Sequence, residues 1–157
     1  MSSITPWLWF DTEAEEAATF WTELFPNSRI VEITRYGPAG PREEGLVMTV
    51  TFELDGRPYA GLNGGSQYHF SEATSLQVLC DDQAEIDKYW DALTDGGEEG
   101  PCGWCKDRFG FSWQIVPKVL PELLGDPDRE RAQRAMQAML GMRKLDIAAL
   151  RAAADSS

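Results

Sequence analysis

The sequence predicts an α+β fold made of two copies of one strand–helix–strand–strand–strand module, followed by a helical extension. Three observations carry that prediction. The order of elements read from hydrophobic periodicity is the same in both halves of the 157-residue chain. Phe20-Trp21-x-x-Leu24 and Tyr89-Trp90-x-x-Leu93 place one aromatic, Trp, x, x, Leu pattern at the same point of each half. Those matched pairs set a period of about 69 residues, the mark of an internal duplication.

The first module is expected over residues 1–66. It opens with an apolar, aromatic run, ITPWLWF, that stops at Asp11-Thr12. Thr12 and Glu15 have the spacing of a capping box, so a helix is expected to start there. Ala14, Ala17, Ala18, Trp21, Leu24 and Phe25 recur at three- and four-residue spacing, which gives that helix one face to lay on a sheet before Pro26-Asn27 ends it. SRIVEITRY and LVMTVTFEL are rich in β-branched residues and read as strands on either side of a Gly/Pro-rich loop at 37–45. Asp55-Gly56 then supplies a hairpin turn into RPYAGLNGG.

The second module is expected over 72–117. TSLQVLC is its first strand, and Asp81-Asp82 cap a helix whose Ile86, Tyr89, Trp90 and Leu93 share a face. Gly96-Gly97 stop that helix, and EEGPC, GWCKDR and FSWQIVP supply three short strands, with a turn at Phe109-Gly110. The extension, 118–157, is read as a helix capped by Asp126 and opened by Pro127, stopping at Gly141, then a short helix over 145–153. Its apolar residues Ala132, Ala135, Met136, Met139 and Leu140 need a surface to cover, on the same subunit or on a partner.

Composition narrows the function classes. With 26 acidic and 14 basic residues the formal charge is -12, which opposes a phosphate backbone or an anionic lipid face. Nucleic acid and membrane are therefore not expected as partners. No apolar run is long enough to span a bilayer, and MSSITPWLWFDTEAEE lacks the basic and apolar regions of a signal peptide. A cytoplasmic protein is expected, and three cysteines agree with a reducing compartment.

The segments LWFDTEAEEAATFW, FPNSRI, FELDGRPYAGLNGG, CDDQAEIDKYWDALTDGGEE, CGWCKDRFGFSWQIVP and MLGMRKLDIAAL resemble the PhnB-like branch of the vicinal oxygen chelate superfamily, the glyoxalase, bleomycin-resistance and dioxygenase fold. Members of that branch often carry the name 3-demethylubiquinone-9 3-methyltransferase. The resemblance implies two curved mixed sheets, a pocket in the concave face of each, and a homodimer. It also implies where a metal would sit, because superfamily enzymes hold a divalent ion with four His, Glu or Gln side chains from the first and last strand of each module. Aligned strand to helix, those positions are Thr5 (or Pro6), Gly61, Ser75 and Gln114, of which only Gln114 is a ligand type. No metal and no cofactor are expected.

Other chemistry can be read into the chain. His69, Cys80, Cys102 and Cys105 are zinc-ligand types, and Cys102-Gly-Trp-Cys105 imitates a redox pair. Alternation puts Cys80 on the helix side, and the residues after CGWC continue into a hairpin instead of a helix, so inert thiols are expected. A methyl donor is normally held by a glycine-rich turn between a strand and a helix of a parallel sheet. Here LNGG leads into SQYHFSEA, which has no helix start.

What remains is a pocket. Alternation sends Thr5, Trp7, Trp9, Thr49, Thr51, Asn63, Ser75, Gln77 and Gln114 to one face and Leu8, Phe10, Met48, Val50, Leu76, Val78, Trp113 and Ile115 towards the helices. The first set describes either an aromatic-walled ligand site or a solvated or dimer-buried face. Trp104, Lys106 and Asp107 fall on the hairpin at its rim, where Asp107 has the choice of a ligand contact or of pairing with Arg108 or capping the turn. The candidate ligand-binding residues are Trp7, Trp9, Asn63, Gln77, Trp104, Asp107 and Gln114. They suit a module that binds or sequesters an aromatic or hydrophobic metabolite. Alternatively, a metal-free isomerase, lyase or transferase would use Asp107, a neighbouring acid or one from the partner chain to move a proton and the amides of Gln77, Asn63 and Gln114 as an oxyanion site, and a regulatory protein would work through its C-terminal helices.

Overall fold

A computed structural model describes residues 2–156 and divides into two compact units, Met1–Phe70 and Ser71–Ser157. In the first unit β1 (Trp7–Phe10), α1 (Ala14–Leu24), β2 (Arg29–Arg35), β3 (Val47–Leu54) and β4 (Arg57–Asn63) follow in sequence. Their sheet order is β1-β4-β3-β2, with β1 parallel to β4 and the other pairs antiparallel. The tight turn between β3 and β4 works because Asp55 and Gly56 both take positive φ, 50° and 73°. Leu8, Phe10, Val50 and Phe52 bury against Ala14, Ala17, Ala18 and Trp21 of α1. Small residues on α1 let it lie close: a side chain at Gly61 would put its Cβ 3.2 Å from that of Ala14.

The start of α1 differs from the expected capping box. Glu13 occupies the cap without a side-chain bond, and the backbone N–H of Ala14 donates instead to Asn63 Oδ1 at 2.9 Å. The parallel register pairs Phe10 with Asn63, so the end of β4 lies beside the start of α1 and supplies a cap from 49 residues away. α1 also ends one residue short of Phe25, whose extended backbone is what a following proline imposes.

The second unit repeats this plan with β5 (Ser75–Cys80), α2 (Gln83–Thr94), β6 (Glu98–Glu99), β7 (Trp104–Lys106) and β8 (Ser112–Pro117) in the order β5-β8-β7-β6. Again the first and last strands are parallel. Here the cap is local: Asp82 accepts from Glu85 N at 2.9 Å while Glu85 accepts from Asp81 N at 3.1 Å. α2 buries Ile86, Tyr89, Trp90 and Leu93, as its periodicity predicts.

Three helices make the extension, not two: α3 (Val119–Leu124), α4 (Arg129–Leu140) and α5 (Ile147–Asp155). α4 is capped by Asp128 and not by Asp126, which accepts from Asp128 N and pairs with Arg131 at 3.0 Å. Val116, Leu120, Leu145 and Leu150 form a buried cluster against which Leu123, Leu124, Ala138, Met139 and Met142 pack. The apolar stripes are thus largely covered within their own unit, although Leu140 stays exposed. Gln83 ties the extension to α2, donating to Leu145 O at 3.0 Å and accepting from Ile147 N at 2.9 Å. Among the described residues no helix is long and apolar enough to cross a membrane.

Candidate functional site

The face of each sheet turned away from its helix is where alternation places the candidate residues. In the second unit, register puts Gln77, Gln114 and Trp104 in one row across β5, β8 and β7. The adjacent row is Ser75, Ser112, Lys106 and Glu98. Three expected site residues are therefore brought together. Gln114 Nε2 donates to Ser75 Oγ at 2.9 Å, which fixes the amide between the two rows. A cleft of about 160 Å³ opens along β7, lined by Glu72, Glu98, Trp104, Lys106 and Ser112 among others.

Charge and burial in this cleft are uneven. Lys106 pairs with Glu72 through a short contact. The hydrogen bond holds the Glu72 carboxyl below its ordinary range and pushes the Lys106 ammonium up, so both are charged at neutral pH. Glu98 faces Lys106 across the strand pair and reinforces the ammonium. Ser112 is 1% exposed, and its hydroxyl is the buried side-chain polar atom that finds no hydrogen-bond partner among the described residues. Native interiors rarely leave such a group unmatched. The strand read from FSWQIVP already contains Ser112, and alternation by two residues from Gln114 puts it on the same face, so the signal that could have found it was present in the sequence.

The extension closes one end of this face. Val116 lies two residues along β8 from Gln114, on the same side, and is buried in the cluster with Leu145 and Leu150. The turn that leads into Trp104 is also held from there, by Cys102 N donating to Met142 O and Gly103 N to Arg143 O, both at 2.8 Å. Cys102 and Gly103 adopt φ of 58° and 85°, a pair of left-handed residues that these two bonds support.

Two expected site residues are placed elsewhere. Asp107 is 2% exposed and does not stand at a rim: Oδ1 accepts from Phe109 N at 3.0 Å and Phe111 N at 3.1 Å, and Oδ2 from Trp113 Nε1 at 2.8 Å. It organises the 107–111 turn. Asn63 is fully buried on the helix side, where Oδ1 caps α1 and Nδ2 donates to Val47 O at 3.0 Å. The expected alternation was one residue out on β4, and for the same reason Gly61 faces Ala14 and not the open side.

Trp7 and Trp9 do turn away from α1. Trp7 is 57% exposed. Trp9 is partly buried and fixed: its Nε1 donates to Gly65 O at 2.8 Å, and its ring meets Tyr68 edge-on with centroids 5.0 Å apart. The LNGG turn is filled by this ring, since a Cβ on Gly64 would lie 2.3 Å from Trp9 Cζ2. Thr49 and Thr34 bond side chain to side chain on the same face.

The residues present do not fit a divalent metal. Thr5, Ser75 and Gln114 offer two hydroxyls and an amide, and Gly61 offers nothing. Among the described residues no three His, Cys, Asp or Glu side chains are arranged to hold one. Burial pushes the Cys80 and Cys105 thiols up to about 12, the reverse of what a thiolate ligand or redox pair requires. Nor do they fit a methyl donor held in LNGG, because Trp9 occupies that turn and each sheet has a single parallel pair.

Residues 2–116 match the family described as 3-demethylubiquinone-9 3-methyltransferase. Among solved structures, a PhnB protein of Bacillus cereus with the same methyltransferase description is 35% identical, over 74% of this chain and 99% of that one, with a TM-score of 0.66. A protein of Pseudomonas aeruginosa is 18% identical over 74% and 98%, with a TM-score of 0.60. A mutant of the fosfomycin resistance protein FosX of Listeria monocytogenes, complexed with Mn(II) and 1S,2S-dihydroxypropylphosphonic acid, is 16% identical over 74% and 92%, with a TM-score of 0.52. The last two similarities concern the fold. No curated protein matches the chain.

Proposed function

The chain belongs to the family described as 3-demethylubiquinone-9 3-methyltransferase, with the vicinal oxygen chelate fold, and on that premise we propose that it binds a small organic molecule without a metal ion. The ligand would carry an aromatic or hydrophobic body. The row of Gln77, Gln114 and Trp104, beside a cleft with an unmatched buried hydroxyl, carries this reading. A flat ring stacks on Trp104 while the two amides orient its polar groups. Trp7 and Trp9 add aromatic surface to the open face of the first unit, with Trp9 serving as a fixed wall. The reading includes a cytoplasmic homodimer.

Binding is favoured over catalysis by one observation. Asp107, which the catalytic reading named beside its neighbouring acids as the proton-transfer group, has both carboxylate oxygens occupied by N–H donors of its own turn and of Trp113. Native mass spectrometry of protein purified from its own host, before and after denaturation, tests the proposal. A small molecule should be released from the unaltered protein and be missing from the Trp104→Ala, Gln114→Ala double variant. Equal retention by that variant would place the ligand elsewhere and overturn the assignment.

A further inference from the structure

We infer that the cleft beside β7 receives the ammonium end of an amine ligand, with Ser112 as its buried acceptor and Glu98 as its counter-charge. This rests on the binding reading above and narrows it. Three carboxylates, Glu72, Glu98 and Glu99, line the cleft against the single ammonium of Lys106. Glu99 is engaged on the helix side, accepting from Trp90 Nε1 at 2.9 Å and lying 3.6 Å from Arg143. Glu72 balances Lys106, which leaves Glu98 as the excess negative charge on the open face.

An anion entering here would have to take Lys106 from Glu72 while facing Glu98, and the chain's charge of -12 opposes its approach. A cation meets the opposite situation. The Lys106–Glu72 pair is partly exposed, with 33% and 63% of the side chains accessible, and such pairs contribute little. An incoming ammonium can replace Lys106 at Glu72, approach Glu98, and donate to the Ser112 hydroxyl that has no other partner. Trp104 flanks the same cleft, so its ring face adds a cation–π contribution while also stacking with the ligand body. A neutral alcohol of the same shape would satisfy Ser112 and leave Glu98 unanswered.

The test is titration calorimetry with three probes of one shape, 2-phenylethylamine, 2-phenylethanol and phenylacetate, at neutral pH. The amine should bind about tenfold more tightly than the alcohol, one decade being the effect of a single modest interaction, and phenylacetate should bind weakest. Glu98→Gln should remove most of the amine's advantage and leave the alcohol's affinity unchanged, whereas Ser112→Ala should weaken the amine and the alcohol alike. Added salt should weaken the amine alone. Alcohol or phenylacetate binding as well as the amine, with sensitivity to Gln114→Ala, would overturn the amine subsite and leave the binding reading standing. Failure of all three probes at millimolar concentration would overturn both. Glu98 is exposed, so its variant keeps the test informative even if the Ser112 change disturbs the strand.

Discussion

The two modules share a strand order and a helix position and differ in how they use the polar residues around them. In the first, Asn63 bonds to Ala14 N and Val47 O, its own carbonyl accepts from Tyr36 Oη at 2.7 Å, and Trp9 is fixed to Gly65. Its buried polar groups answer one another. In the second, the helix is capped locally by Asp82 and Glu85, and the open face keeps a hydroxyl with no partner beside a charged cleft. A duplicated scaffold holds its helix-packed face under the constraint of close packing, whereas the open face and the capping arrangements are free to diverge. The half whose buried side-chain polar groups all find partners among the described residues is structural in emphasis, and the half with an unmatched group is where a ligand is expected.

The sharpest way to break that comparison is to remove the structural carboxylate that the second module does contain. Asp107→Ala leaves three N–H donors, those of Phe109, Phe111 and the buried Trp113 indole, without their acceptor. A loss of about 3–5 kcal/mol is expected from the combined orphaned groups. Asn63→Ala, which orphans Ala14 N and Val47 O, should cost about 2–3 kcal/mol in the first module. Urea unfolding measures both. If Asp107→Ala were neutral in stability and instead abolished ligand retention, Asp107 would be a rim residue after all.

Leu145→Ala has an effect of similar size and asks whether the extension supports the site. Leu145 is fully buried beside Gly103, with its Cδ1 3.0 Å from where a Cβ on Gly103 would lie. Truncating it should cost about 2–4 kcal/mol through the cavity left behind. Because residues 142 and 143 hold the turn before Trp104, the variant should also weaken ligand retention at temperatures where it remains folded. Unaltered retention would show that the extension only stabilises, and does not shape, the second face.

Much of this was legible in sequence, for physical reasons that vary along the chain. Both helices declared themselves through Trp21 and Trp90 and their apolar neighbours, because burial at a 3.6-residue period leaves a strong trace. Gln77, Gln114 and Trp104 share a row, as alternation predicts, because β5, β7 and β8 pair without a bulge. Asn63 was misplaced because period-two reasoning depends on the strand's phase, and one residue of slip exchanges the faces. Its role as a distant cap follows from parallel pairing of β1 with β4, and Asp107's from a three-donor turn, neither of which leaves a local pattern. Asp126 and Asp128 are both good caps two residues apart, and their side chains alone do not say which one starts the helix.

A smaller effect tests whether the second module's thiols are packing groups. Cys80 and Cys105 are buried and their pKa values are pushed from 9.0 up to about 12, first by desolvation and then by neighbouring carboxylates. Folding therefore holds their protons. The associated stability is fully present below pH 9, where both states are protonated, and is lost as pH rises from there towards about 12. A Cys80→Ala, Cys105→Ala double variant should show a flatter decline of melting temperature with alkaline pH. Under native conditions a thiol reagent should modify half-buried Cys102 before the other two. Rapid modification of Cys105 would contradict its placement in the core.

The smallest effect has the opposite sign and bears most directly on the contrast between the modules. Ser112→Ala removes a hydroxyl that is buried and unmatched, and the methyl side chain left behind needs no partner. An unsatisfied buried group costs about 1–3 kcal/mol, so its removal should stabilise the free protein, by about 1 kcal/mol after the lost packing of the oxygen is deducted. Loss of a buried polar side chain in the first module, Asn63→Ala, destabilises instead, because that group is fully bonded. Thermal unfolding of the two variants should therefore move in opposite directions. A ligand that uses Ser112 would reverse the sign for that variant, since its bound state loses a hydrogen bond that the free state never had. A melting temperature that fell on Ser112→Ala in ligand-free protein would mean that the hydroxyl is already satisfied within the fold, and the reason for placing the ligand in the second module would be gone.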